Sequence, residues 1–177
     1  KPPRAPPPKV SPGELVAGLA GSAVVLVVGG AAKLVRRRFR RKLSQEEASK
    51  LAAMKEALRE AMFPFQREGV RFGLARGGRV LIGDQMGLGK TVQALALMAC
   101  YRDEWPALIL VPTSLRGAWE SALRRWLDVP ANVIAAVGSG GEAHKIHAAK
   151  VAIVPYSLVG KMAEKLTRRA YQVVVCD

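Results

Sequence analysis

From residue 44 onward the apolar positions fall into two rhythms. Leu51, Met54, Leu58 and Met62 recur at helical spacing, and Ser44 with Glu47 forms a capping box, so 44–62 is predicted to be one helix. Short apolar runs then alternate with helical patterns. Strands are predicted at RVLIG (79–83), ALILV (107–111), 132–137, 151–154 and YQVVVC (171–176), with helices at 91–101, 115–127 and 157–169. The strand runs are unbroken in Val, Ile and Leu rather than alternating, the pattern of strands covered on both faces. Their alternation with helices implies an α/β fold, a parallel sheet with helices on both sides. The chain contains no internal repeat.

The first 43 residues depart from this pattern. Residues 1–12 are rich in Pro and Lys/Arg and cannot pack a core. Residues 15–32 (LVAGLAGSAVVLVVGGAA) are uncharged and mostly apolar, and Lys33 and RRRFRRK (36–42) follow them. Such a run is at the lower edge of a membrane span, and its one-sided basic flank is that of a transmembrane helix with a cytoplasmic flank. Two other readings compete: a Gly/Ala-rich segment with no membrane role, and an artefact of gene prediction. The chain therefore divides into a non-globular or membrane-spanning segment, 1–43, and a globular region, 44–177. It begins at Lys1 and closes an apolar run with Asp177, so both ends are expected to be cut.

Charge alters the picture only locally. Of 28 Lys and Arg against 14 Asp and Glu, residues 1–42 hold ten basic residues and one acid, Glu14. A basic excess points to a polyanionic partner, nucleic acid or anionic lipid, but most of it lies outside the globular region. Cys100 and Cys176 stand far apart in apolar stretches and read as buried, reduced thiols. His144 and His147 form an H-x-x-H pair without the Cys or carboxylate cluster that a metal site requires.

The strongest chemical signal is GDQMGLGKT (83–91), directly after a predicted strand and opening a predicted helix. Gly87 and Gly89 let the backbone curl round a phosphate so that successive N–H groups point inward, and the helix aims its positive end at the same place. Lys90 can reach β- and γ-phosphates, and the Thr91 hydroxyl can ligate Mg²⁺. The strict pattern begins with Gly where this chain has Asp84.

The stretch from Asp84 through Gly87, Leu88, Gly89, Lys90 and Thr91 to Ala94 resembles motif I of the Swi/Snf-type branch of superfamily-two helicases, with Gln85 where that branch usually has Glu. FPFQREGVRF (63–72) is similar to the Q motif, LILVPTSLRGAW (108–119) to motif Ia, VAIVPYSLV (151–159) to motif Ib, and VVVCD (173–177) to the opening of motif II. The resemblance covers about residues 60–177, and within the branch it is nearest to the annealing helicases, which rewind DNA and remodel stalled replication forks.

This resemblance implies a RecA-like P-loop lobe of a nuclear, DNA-dependent ATPase with ATP and Mg²⁺ as cofactors. Lys90 would stabilise the transferred phosphoryl, Thr91 and Asp177 would hold Mg²⁺, and Gln66 would read adenine, with Asp84, Gly87, Leu88 and Gly89 completing the cradle. Thr113, Ser114 and Arg116 would contact DNA phosphates; on their own they read as an ordinary helix cap after Pro112. Trp105, Trp119 and Trp126 read as core or rim packing. Arg124, Arg125, Arg168 and Arg169 read as solvated helix faces. Without the rest of motif II and a second lobe, residues 1–177 are expected to bind nucleotide weakly and not to turn it over. The alternatives are a membrane-anchored nucleotide-binding protein and a non-catalytic nucleotide-binding module.

Overall fold

The computed structural model describes residues 23–27, as a strand, and residues 43–177. Among the described residues six strands form one sheet: β1 (Ala23–Val27), β2 (Val80–Ile82), β3 (Ala107–Val111), β4 (Ile134–Ala136), β5 (Val151–Pro155) and β6 (Val173–Cys176). Their order is β2-β1-β6-β3-β5-β4, and every pairing is parallel.

The continuous apolar runs are explained by the two faces of this sheet. Ala107, Ile109 and Val111 of β3 enter one core together with Val151, Ile153, Val173 and Val175. Leu108 and Leu110 enter a second core with Ala152, Val154, Val174 and Cys176. Successive side chains of a strand alternate between faces, so a strand covered on both sides is apolar at every position.

The first core is roofed by α1 (Gln45–Ala52), α2 (Glu56–Ala61), α3 (Pro64–Leu74), α4 (Lys90–Cys100) and α5 (Arg116–Leu127). Helix α4 lies deepest, with Ala94, Leu95, Ala96, Leu97 and Met98 fully buried, which is why its sequence is apolar nearly all round. The second core is covered by α6 (Tyr156–Arg168), through Val159, Met162 and Leu166, and by the 3₁₀ segment Gly140–His147.

The structure corrects the sequence reading in three places. The single helix expected over 44–62 is two, broken at 53–55, where Lys55 has ψ 130 and starts a new helix. Nothing local marks the break, since Ala53, Met54 and Lys55 include neither Gly nor Pro. Packing accompanies it: Met54, Leu58 and Met62 are all buried, and Lys55 is paired with Asp128 beyond the end of α5, at 2.6 Å. Residues 64–74, assigned to no element from sequence, form α3. Its Gly69 and Gly73 are poor helix formers, but they allow close approach to α4: a Cβ on Gly73 would lie 2.9 Å from the Leu97 side chain, and one on Gly69 would overlap the Gln93 side chain.

The third correction concerns the candidate transmembrane helix over 15–32. Its described part, Ala23–Val27, is extended and paired along both edges, with β2 and β6. A strand flanked on both sides in a parallel sheet needs the same uncharged, β-branched composition that a membrane span uses. The remainder of that run, and the basic flank 33–42, lie outside the described residues. Among the described residues no helix is long and apolar enough to cross a membrane.

Candidate nucleotide-binding site

All strands run parallel, so their carboxyl ends share one edge, where a doubly wound sheet holds its ligands. Two groups of the expected site residues meet this edge, at the ends of β2 and β6. Only β1 separates those strands, a gap on the order of 10 Å.

The first group is the loop between β2 and α4. Gly87 has φ 83, and Gly89, the N-cap of α4, has φ 72 and ψ 38, both left-handed. A side chain at Gly89 would also collide with the Gln66 amide. No side chain caps α4, so the backbone donors of its first turn face the loop. The Lys90 ammonium donates to the carbonyls of Asp84 at 2.9 Å and Gln85 at 3.2 Å, closing the loop on itself. Residues Gln85 to Leu88 are exposed, while Asp84, Gly89, Lys90 and Thr91 are partly buried.

Helix α3 is tied to this loop by two amides. Gln66 accepts from the Phe63 N–H at 2.8 Å and donates to the Leu88 carbonyl at 2.9 Å. Gln93 donates to the Asp84 carboxylate at 2.7 Å while its amide oxygen fills the space above Gly69. Both glutamines are buried, the two buried polar residues among the described residues. Gln93 was not identified from sequence, although a lone amide in the apolar helix TVQALALMAC is the visible signal, since a buried amide requires partners. Phe63 and Leu88, whose backbones hold Gln66, leave their side chains 63% and 40% exposed, a pair of apolar surfaces beside an amide.

The second group is built round Asp177. Its N–H donates to the Leu110 carbonyl at 2.9 Å, and its carboxylate accepts from the Trp119 indole at 2.8 Å. On the opposite face, the Tyr156 hydroxyl shares a hydrogen bond with the Cys176 thiol, next to Asp177. Burial, then the neighbouring Cys176 and Asp177, push the Tyr156 hydroxyl well above its ordinary pKa, and burial pushes the Cys176 thiol up to about 11. Both groups stay protonated beside the carboxylate.

Thr113 and Ser114 lie exposed in a 3₁₀ turn at the same edge of the sheet, following β3. The N-cap of α5 is Leu115, so neither forms the cap expected from sequence. The Arg116 guanidinium donates to the Val137 carbonyl at 3.1 Å, bracing the turn against the strand end of β4. Trp119 is a buried core residue, and Trp105 and Trp126 pack partly buried against the same core. Arg124, Arg125 and Arg168 are exposed, but Arg169 is partly buried and donates to the Ala149 carbonyl at 3.1 Å, which makes it a packing residue rather than a solvated one.

A family profile described as the SNF2-related domain matches residues 65–177. The chain is 38% identical over 128 residues to the SWI/SNF-related matrix-associated actin-dependent regulator of chromatin subfamily A-like protein 1 of Xenopus tropicalis, which covers 72% of this chain and 13% of that protein. It is 39% identical over 149 residues to the Bos taurus protein of the same name, covering 78% of this chain and 15% of the relative. It is 36% identical over 140 residues to the DNA annealing helicase and endonuclease ZRANB3 of Mus musculus, covering 76% of this chain and 13% of the relative. The chain thus spans a small part of the length of these curated relatives.

Proposed function

Because the chain belongs to the SNF2-related family, we propose that residues 44–177 are the ATP-binding, RecA-like lobe of a nuclear DNA-dependent ATPase of the annealing, fork-remodelling kind. The observation that carries this reading is the phosphate loop: two left-handed glycines, an uncapped helix start, and a lysine bonded to carbonyls of its own loop. A polyphosphate offers that lysine stronger, charge-assisted bonds than two neutral carbonyls do.

The residues fit ATP and Mg²⁺ by their own chemistry. Lys90 would exchange its bonds to the carbonyls of Asp84 and Gln85 for phosphate oxygens, and Gly87, Leu88 and Gly89 would offer backbone donors to the remaining phosphates. The Thr91 hydroxyl and the Asp177 carboxylate supply oxygen donors at two points of one sheet edge, the hard-ligand set that Mg²⁺ takes. When bound, Mg²⁺ would neutralise charge on the phosphates. By its chemistry the Gln66 amide has capacity for one further donor and one further acceptor contact, and it would read an adenine edge from beneath the exposed Phe63 and Leu88, to whose backbones it is bonded. Asp84, held by Gln93, keeps the loop backbone in place. Thr113 and Ser114, exposed beyond β3, with Arg116 beside them, grip one DNA strand by its phosphates, which gives binding that is sequence-independent and sensitive to salt.

The test is titration calorimetry of residues 1–177 with ADP and with a slowly hydrolysed ATP analogue. Binding in the micromolar to millimolar range is expected for the wild type and its loss for Lys90→Ala; equal affinity in both would remove the phosphate-loop reading. A duplex-binding assay at two salt concentrations checks the DNA contacts, with weaker binding expected at the higher one.

A further inference from the structure

We propose that Trp119 is a positioning residue for the metal-holding carboxylate: its indole N–H fixes which oxygen of Asp177 is presented to Mg²⁺. The inference rests on the reading of Asp177 as a Mg²⁺ ligand and goes beyond it.

Trp119 is 1% exposed, so its ring fills the core between α5 and the sheet. Volume alone does not explain its orientation. A buried indole N–H must find an acceptor, and this one is placed on the Asp177 Oδ2 at 2.8 Å, a charge-assisted bond. The Asp177 backbone is fixed separately, by its bond to the Leu110 carbonyl, so the indole governs the side chain rather than the strand end. With Oδ2 engaged, Oδ1 is the oxygen left for a cation or its waters. Buried partners that orient a ligand in this way are characteristic of metal sites, and their removal weakens metal binding without removing a ligand.

The placement has a second aspect. Trp119 is one turn into α5, and that helix starts directly after the exposed turn Thr113–Leu115. A shift of α5 along its axis therefore moves the indole relative to Asp177. The proposed strand-gripping turn and the residue that orients the proposed metal ligand therefore adjoin on one helix.

The experiment compares ADP affinity in Mg²⁺ and in EDTA for residues 1–177, as wild type, Trp119→Phe and Asp177→Asn. The ratio of the two affinities isolates the metal's contribution. For Trp119→Phe we expect this ratio to fall about tenfold while affinity in EDTA is unchanged. In the Asp177→Asn background the same substitution is expected to cause no further fall. A wild-type ratio in folded Trp119→Phe, or equal falls with and without Mg²⁺, overturns the proposal, because packing alone would not separate the two conditions. If Asp177→Asn itself keeps the wild-type ratio, the metal reading of Asp177 fails and the proposal fails with it, a pattern distinct from failure at Trp119 alone. Should Trp119→Phe not fold, site-specific replacement of Trp119 by benzothienylalanine, which keeps the bicyclic ring and deletes the donor, decides by the same ratio.

Discussion

At the phosphate loop, Lys90 is bonded to carbonyls of Asp84 and Gln85 on a segment that is largely exposed. At the other end of the site, Asp177 is held by the indole of a buried tryptophan, with protonated Tyr156 and Cys176 on the opposite face. The first end is polar and self-satisfied, so it can exchange its internal bonds for a ligand's at little cost to the fold. The second is preset by the core, so its geometry cannot change without repacking. Under the proposed function, releasing one phosphate state and binding another would use both: an adaptable cradle and a fixed point of reference.

Substitutions on the two sides should therefore separate stability from binding. The largest effect is expected from Trp119→Ala, which empties a core position and strands the Asp177 carboxylate; a loss of about 3–5 kcal/mol in chemical denaturation follows from the cavity. Lys90→Ala should do the reverse, lowering nucleotide affinity about tenfold to a hundredfold, since a hydrogen bond to a charged group contributes roughly 1.5–3 kcal/mol, with an unchanged denaturation midpoint. A Lys90 variant as unstable as the Trp119 one would erase the contrast. Gln66→Ala stands between the two: losing its bonds to Phe63 and Leu88 should cost about 1–2 kcal/mol of stability and reduce the preference for ATP over GTP, read by competition binding.

The smallest effect is chemical. The thiolate is the form that alkylates, and burial holds the Cys176 thiol up at about 11. Alkylation by iodoacetamide at pH 8 should be slow at Cys176 and rapid in a Met86→Cys variant, whose site on the phosphate loop is 82% exposed. A thiol whose folded pKa is raised stabilises the fold below its unfolded value, near 9, and that contribution fades as pH rises toward 11. Alkaline unfolding in that window, accompanied by Cys176 labelling, would mark the core-held end as the one that opens.

What could be read from the residues was whatever local pattern decides. The unbroken Val/Ile/Leu runs announced strands covered on both faces, and Gly87 and Gly89 announced a tight turn with left-handed backbone between β2 and α4. What could not be read was decided by contacts between distant segments. Helix α3 was hidden by Gly69 and Gly73, which lower helix propensity but fit against Gln93 and Leu97. The Trp119–Asp177 bond joins positions 58 residues apart, and nothing in either neighbourhood signals it. Ala23–Val27 is a strand and not part of a helix, and composition could not tell the two apart because membrane interiors and the middle of a parallel sheet select similar side chains.

The strand order also sets the timetable by which the sheet can close. Pairs β1–β2 and β3–β5–β4 can each form from segments made before β6, but β6 lies between β1 and β3 and alone joins the two blocks. Ala23 of β1 pairs with Val173, so on a translating ribosome β1 waits on the order of ten seconds for its second neighbour. Throughout that interval a Val-rich edge is open to mispairing, and pairings this distant are slow to form. The strand that joins the two blocks is the one that delivers Asp177, so the union of the blocks and the arrival of the proposed metal ligand are the same event.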